Sequence, residues 1–397
     1  MKKALFTIAV ILGLVLIRVL VSCTSKIEVS SEEISSSIKS NNPVLNVYIE
    51  NSGSMDGYMC NGSELKDCVY DYVSELNRST SQINLNYINS EIIPCKGDLL
   101  SYIKDLNPSS FKLAGGDRSN TKLGEVIGKV LENVTDTSIC ILVSDFILDV
   151  PSKDAQKFLT QTEITIKNNV INAQKRVPNL GIEILKFSST FTGNYYYPDG
   201  TVEKLSNVKR PYYIWIFGDK DYLARLNTDV PFSRLSKYDL SGIAAFTNIS
   251  KAPFEIKNQS GTSQIIVPAH GNYHIMIRAD LRSTLQPDGI ILDKSNYSFN
   301  NNTITIDGVY PISDKKSQYT HFIKFTIPKG TKIAQECLTF SFPKLPSWVS
   351  VSNDDSGVNI KKNIDKTTGI KYLIQGVADA YRNETVCTTL NFNIKRK

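Results

Sequence analysis

The chain has 397 residues, which is long for one ordinary domain and points to two or three, and its hydrophobic fraction of 41% is enough to build packed cores. Only three histidines are present, which argues against a histidine-based metal centre. The formal net charge of +6 is too small for a nucleic-acid footprint, and the terminal Lys395-Arg396-Lys397 reads as a solvated tail.

Residues 1–22 have the layout of a secretory signal. Lys2 and Lys3 precede an apolar run from Ala4 to Ile17, followed by Leu20-Val21-Ser22-Cys23. The last four residues resemble the bacterial lipoprotein cleavage box. That resemblance implies removal of residues 1–22, lipidation of Cys23, and a chain held by a lipid anchor in the bacterial cell envelope, facing the periplasm or the cell exterior. The alternative is an uncleaved membrane anchor, because the run is nearly long enough to span. Removal takes away Lys2, Lys3 and Arg18 and lowers the net charge to about +3 by the same formal count. Residues 23–42, rich in Ser, Lys, Glu and Asn, read as a tether.

Beyond Cys23, six cysteines remain, an even number that permits disulfides in an oxidising compartment. Cys60 and Cys68 are close enough in sequence to staple a loop. Cys337 and Cys387 are candidates for a bond in the C-terminal region. Cys140, inside an apolar run, reads as a buried free thiol.

From residue 43 to residue 226 strands alternate with helices. Val44 to Glu50 is an apolar, β-branched strand. Residues 63–78 place Leu65, Val69, Tyr72, Val73 and Leu76 at helical spacing. Ile83 to Ile93 is one strand or a bent pair, and Leu99 to Leu106 a short helix stopping near Pro108. The polar loop 115–120 leads into a helix carrying Leu123, Val126, Ile127, Val130, Leu131 and Val134. Ile139 to Val143 is a strand followed at once by Ser144 and Asp145. A helix covers about 153–177, strands follow at 182–187 and 213–217, and Asp219 caps a last helix through Leu226.

Such alternation predicts a mostly parallel sheet with helices on both faces, a Rossmann-like α/β domain. Ligands of such sheets bind at the carboxyl ends of strands. Glu50, Ser52 and Ser54 lie at one such end and Asp145 at another, while Thr121 arrives by the loop that precedes a helix. Hydroxyls and carboxylates are hard oxygen ligands, suited to Mg²⁺ first and to Mn²⁺ or Ca²⁺ as alternatives. The competing readings are local: Ser52 and Ser54 as turn residues, Thr121 as a helix N-cap, Asp145 as a loop cap. Asp56 and Asp149 read as solvated, and Asp117 as a competitor for the ion.

Three pieces of this stretch resemble the von Willebrand factor type A domain: Glu50-Asn51-Ser52-Gly53-Ser54-Met55, Thr121-Lys122-Leu123-Gly124, and Ile141-Leu142-Val143-Ser144-Asp145. The family's first motif is Asp-x-Ser-x-Ser, so Glu50 stands where the family has aspartate and is one methylene longer. The resemblance covers about residues 43–226 and implies a metal-ion-dependent adhesion site built from Glu50, Ser52, Ser54, Thr121 and Asp145. A divalent cation held there would recruit a carboxylate from a protein partner in the envelope.

The segment 188–210 is long for an α/β connection and carries Tyr195-Tyr196-Tyr197-Pro198-Asp199-Gly200, either a partner-facing loop or a small hairpin covering a sheet face. Residues 227–397 show strand-like runs and turns, read as one or two β-sandwich modules without a convincing helix. Cys337, Trp348 and Cys387 follow the order of an immunoglobulin core, although Thr385 stands where that core would have its corner tyrosine. His270, His274 and His321 lack partners that would make a site. The expected function is non-enzymatic: a membrane-anchored extracytoplasmic binding protein. An envelope metal-dependent hydrolase is the alternative, opposed by the absence of an evident general base or nucleophile constellation. A scaffold whose site is degenerate because of Glu50 is the third reading.

Overall fold

The computed structural model describes residues 26–31, 41–118, 121–151, 153–248, 250–257, 264–266, 271–314, 316–331, 335–341, 345–381 and 386–396. The expected signal segment 1–22, Cys23 and His270 lie outside the described residues. Among the described residues no helix is long and apolar enough to cross a membrane.

The first strand, β1 (Lys26–Ser31), pairs with strands from the far end of the chain. The residues expected to be only a tether therefore contribute a strand. The α/β part begins with β2 (Val44–Glu50), α1 (Glu64–Leu76), β3 (Gln82–Ile88), β4 (Ile92–Pro94), α2 (Pro108–Lys112), α3 (Leu123–Glu132) and β5 (Ser138–Ser144). It continues with α4 (Ala155–Arg176), β6 (Leu180–Tyr196), β7 (Val202–Asp219), α5 (Lys220–Asp229) and β8 (Gly242–Phe246). These strands form one seven-stranded sheet in the order β4-β3-β2-β5-β7-β6-β8. The sheet is mixed. β3, β2 and β5 run parallel at its centre, and β4, β7 and β8 supply the antiparallel pairings.

Each face of the sheet is covered for a legible reason. Leu45, Val47 and Ile49 alternate with Tyr48 along β2, so one set packs on Leu65, Val69 and Val73 of α1 and the other on the α3–α4 side. β5 is buried at every position, as a central strand with helices on both faces must be. The Ser63 hydroxyl accepts from the Lys66 N–H and caps α1. The bent pair expected over 83–93 is β3 with β4. The short helix expected over 99–106 is a single turn at Leu100–Lys104, and Pro108 starts a helix rather than ending one: the Asn107 side chain caps it and Pro108 takes the first turn, where its missing N–H costs nothing.

The expected boundary at 226/227 is crossed twice. β8 completes the edge of the seven-stranded sheet against β6. The helix Ile370–Ala380, in a region read as helix-free, buries Ile370, Leu373, Ile374, Val377 and Ala378 in the core formed with α4. Gly376 permits this crossing, because a Cβ there would stand 2.5 Å from the Glu163 carbonyl oxygen.

The remaining strands make a β-sandwich. One sheet holds β1 with Gln264–Ile266, Val386–Arg396, Gln335–Ser341 and Tyr297–Phe299, and Ser250–Lys251 attaches to its C-terminal strand. The other holds Phe254–Lys257, Tyr273–Ala279, His321–Ile327 and Thr305–Pro311. Ile275, Ile277, Ile323, Phe325 and Ile327 from the second sheet share a core with Leu338, Phe340 and Leu390 from the first. The immunoglobulin order is not used. Cys337 is a free thiol opposite Asn391, and Trp348 lies on a helical turn against Gly242, its indole N–H donating to the Ile243 carbonyl at 3.1 Å. The side chain of Cys387 lies outside the described residues.

Candidate cation site

β2 and β5 are parallel neighbours, so their carboxyl ends fall side by side and deliver Glu50 and Asp145 to one edge. Both carboxylates are buried, at 3% and 2% exposure. The Ser144 hydroxyl donates to Glu50 Oε2 and accepts from the Phe146 N–H at 2.7 Å. One Asp145 oxygen, Oδ1, accepts from the Ile147 N–H at 3.3 Å. Phe146 turns the chain here with φ of 51°, a strained value for a phenylalanine, and its ring stacks on Trp215 at 4.6 Å.

The hydroxyls of Ser52 and Ser54 lie 3.0 Å apart. Neither caps the turn Ser54–Tyr58, whose start has no side-chain cap. Burial first, then the charge of Asp145, pushes the Glu50 carboxyl well above its ordinary range, against the hydroxyls of Ser144 and Ser52. Burial also raises Asp145, opposed by the charge of Arg210 and then by the Ser54 hydroxyl.

Arg118, three residues before Thr121, is pinned to this edge. The Gly53 N–H donates to the Arg118 carbonyl at 3.4 Å, and the Arg118 guanidinium donates to Asn51 Oδ1 at 2.8 Å, to the Ser52 carbonyl at 3.0 Å and to the Asp56 carboxylate. The helix start that follows uses Lys122 in the cap position without a side-chain bond, so Thr121 does not serve as the cap. Thr121 Oγ1 is buried and meets no partner among the described residues, and the same holds for Asp145 Oδ2. Two buried oxygens without a partner among the described residues, and a pair of facing hydroxyls, are the hard oxygen donors that a divalent cation takes. Among the described residues no cluster of three or more His, Cys, Asp or Glu offers a metal site, and this set differs in having two carboxylates and three hydroxyls.

Several readings change. Asp56 is not solvated: it is paired with Arg118, and Lys112 stands 3.7 Å from its other oxygen. Asp149 is exposed, as expected. Cys60 and Cys68 are free thiols rather than a staple, because Cys68 lies on the buried face of α1 while Cys60 Sγ faces the Thr190 carbonyl at 3.8 Å. The segment 188–210 is the outer part of an antiparallel hairpin, β6 with β7. Tyr213 of β7 pairs with Ser144, the last residue of β5, so the hairpin beyond it projects past the sheet on the site's side. There Tyr195 is buried and donates to the Gly357 carbonyl at 3.1 Å. Tyr196, 47% exposed, lies over Gly53: a Cβ on that glycine would stand 3.5 Å from its ring.

Sequence reasoning missed Ser144, Arg118 and Arg210. Ser144 was legible as the neighbour of Asp145 at a strand end. Arg118 lay in a loop noted only for its polarity. Arg210 carried no local signal, since burial of an arginine follows from the hairpin register alone. No protein-family model matches the chain, and no curated protein matches it.

Proposed function

We propose that this chain is a von Willebrand factor type A-like binding protein, anchored in the bacterial envelope through Cys23, that captures a protein partner through a divalent cation. Glu50, Ser52, Ser54, Thr121 and Asp145 would hold the ion, Mg²⁺ before Mn²⁺ or Ca²⁺. The observations that support this reading are that Thr121 Oγ1 and Asp145 Oδ2 are buried without a partner among the described residues, and that the hydroxyls of Ser52 and Ser54 face each other. Neutral hydroxyls would leave a bound ion electron-poor and ready to accept an outside carboxylate. The protein's own part is to hold these oxygens in place: Arg118 fixes the Ser52 loop, Ser144 fixes Glu50, and the Ile147 N–H fixes one oxygen of Asp145. The Tyr196 ring beside Gly53 would meet the partner's surface next to that carboxylate.

The test is a Mg²⁺ titration and an envelope pull-down with wild type and the Ser52→Ala/Ser54→Ala double variant. The expected result is a Mg²⁺ heat and a captured protein, both lost in the variant and the capture lost in EDTA, with unchanged thermal unfolding of the cation-free chain. Capture that persists in EDTA would remove the cation from the mechanism.

A further inference from the structure

Arg210 is the largest buried charged side chain among the described residues, at 1% exposure. A guanidinium removed from water needs a counter-charge or hydrogen-bond acceptors, and here Nε and Nη1 meet no acceptor among the described residues. Its surroundings are aromatic: the Phe191 and Tyr195 rings of the hairpin lie 5.6 and 4.9 Å from its guanidinium carbon. Its position is fixed by register. Arg210 pairs with Ser189 and stands three residues before Tyr213, which pairs with Ser144 at the end of β5. The hairpin therefore carries a desolvated positive charge to the edge where Glu50 and Asp145 are buried. The neighbouring cations Arg118 and Lys112 are engaged with Asp56.

We infer that Arg210 is the built-in counter-charge of the Glu50–Asp145 edge, a fixed monovalent cation that sets how tightly the edge holds a divalent one. The inference rests on the cation reading proposed above and adds a residue that none of the motif positions contains. Without an ion, Arg210 balances part of the carboxylate charge and keeps the edge folded. With an ion, Arg210 repels it. The two carboxylates, the arginine and the ion together then leave one positive charge in excess, which a partner's carboxylate would neutralise. The device trades ion affinity for attraction of an anionic ligand.

The experiment is calorimetric titration of the full chain with MgCl₂ and with MnCl₂ at low ionic strength, for wild type, Arg210→Gln and Arg210→Lys. Thermal unfolding is recorded with and without the ion. Arg210→Gln is expected to bind at least about tenfold more tightly than wild type, and Arg210→Lys to stay near wild type. If Arg210→Gln is unfolded in EDTA, millimolar MgCl₂ should restore its fold, because the ion replaces the missing charge. Equal or weaker binding by a folded Arg210→Gln, failure of MgCl₂ to restore an unfolded one, or the same shift in Arg210→Lys would each overturn the inference. Binding by Arg210→Gln but not by wild type would uphold it while refuting cation-dependent capture by the native chain. Absence of binding by either would refute both.

Discussion

Ser144 donates its hydroxyl to the Glu50 carboxylate, tying the last residue of β5 to the last residue of β2. The same oxygen accepts from the Phe146 N–H, so one hydroxyl satisfies a buried acid and a buried, strained backbone turn. Ser144→Ala removes this bond from Glu50 Oε2 and from the Phe146 N–H, and opens little space for water, since Ser144 is fully buried. The expected loss is about 1–3 kcal/mol of folding stability. Urea unfolding measures it, and an unchanged midpoint would show that the bond contributes nothing.

The hairpin is held over the site by a contact between two glycines. A Cβ on Gly193 would stand 2.7 Å from the Gly57 Cα, and one on Gly57 would stand 2.3 Å from the Phe191 ring. Gly193 also sits at a register shift in the β6–β7 ladder. Gly193→Ala is expected to lift the hairpin from the turn at Ser54–Tyr58 and to cost about 1–3 kcal/mol. Limited proteolysis should then cut near residues 197–201, where wild type resists. A variant as stable and as resistant as wild type would show that the hairpin does not depend on this approach.

The α/β half was legible because its helices keep apolar residues three and four apart and its central strands are unbroken apolar runs, as in Leu123–Leu131 and Ile139–Val143. The polar cluster at one edge was legible for the same reason, since parallel strands deliver their carboxyl ends together. What escaped reading depends on long-range pairing. Lys26–Ser31 is a short strand with only two apolar residues, and nothing local announces that it lies between Gln264–Ile266 and Val386–Arg396. β6 and β7 pair over their whole lengths although Gly193 and Pro198 signal breaks, because one falls at a bulge and the other in the hairpin turn. The helix Ile370–Ala380 did carry a helical pattern in Ile370, Leu373, Ile374 and Val377, and was hidden only by the strand-like runs around it.

The cysteines make a separate prediction. Cys68 and Cys140 are fully buried, and burial pushes each thiol up to about 12. Cys60 is half-buried and also raised by burial. A chromogenic disulfide reagent at pH 8 should therefore leave Cys68 and Cys140 unmodified in the folded chain and label both after denaturation, with Cys60 reacting before them. Mass spectrometry of the alkylated, unreduced chain should find Cys60 and Cys68 as separate thiols. A Cys60–Cys68 disulfide peptide would refute this arrangement.

Glu183 offers the clearest pH signature away from the candidate site. It lies fully buried on β6, with Oε1 accepting from Asn227 Nδ2 at 2.6 Å and Oε2 without a partner among the described residues. Burial raises its carboxyl from 4.5 to about 8, against the Asn227 bond. The folded chain thus keeps a proton that the unfolded chain releases between these two values. Its contribution to stability is complete below pH 4.5, falls as pH rises, and is lost above about 8. Glu183→Gln stays neutral and keeps the acceptor for Asn227. Subtracting its unfolding free energy from that of wild type at each pH should give a line that falls between pH 5 and 8, by a few kcal/mol in total, roughly. A difference that does not change across this interval would mean that Glu183 is already ionised in the folded protein and finds a counter-charge inside it.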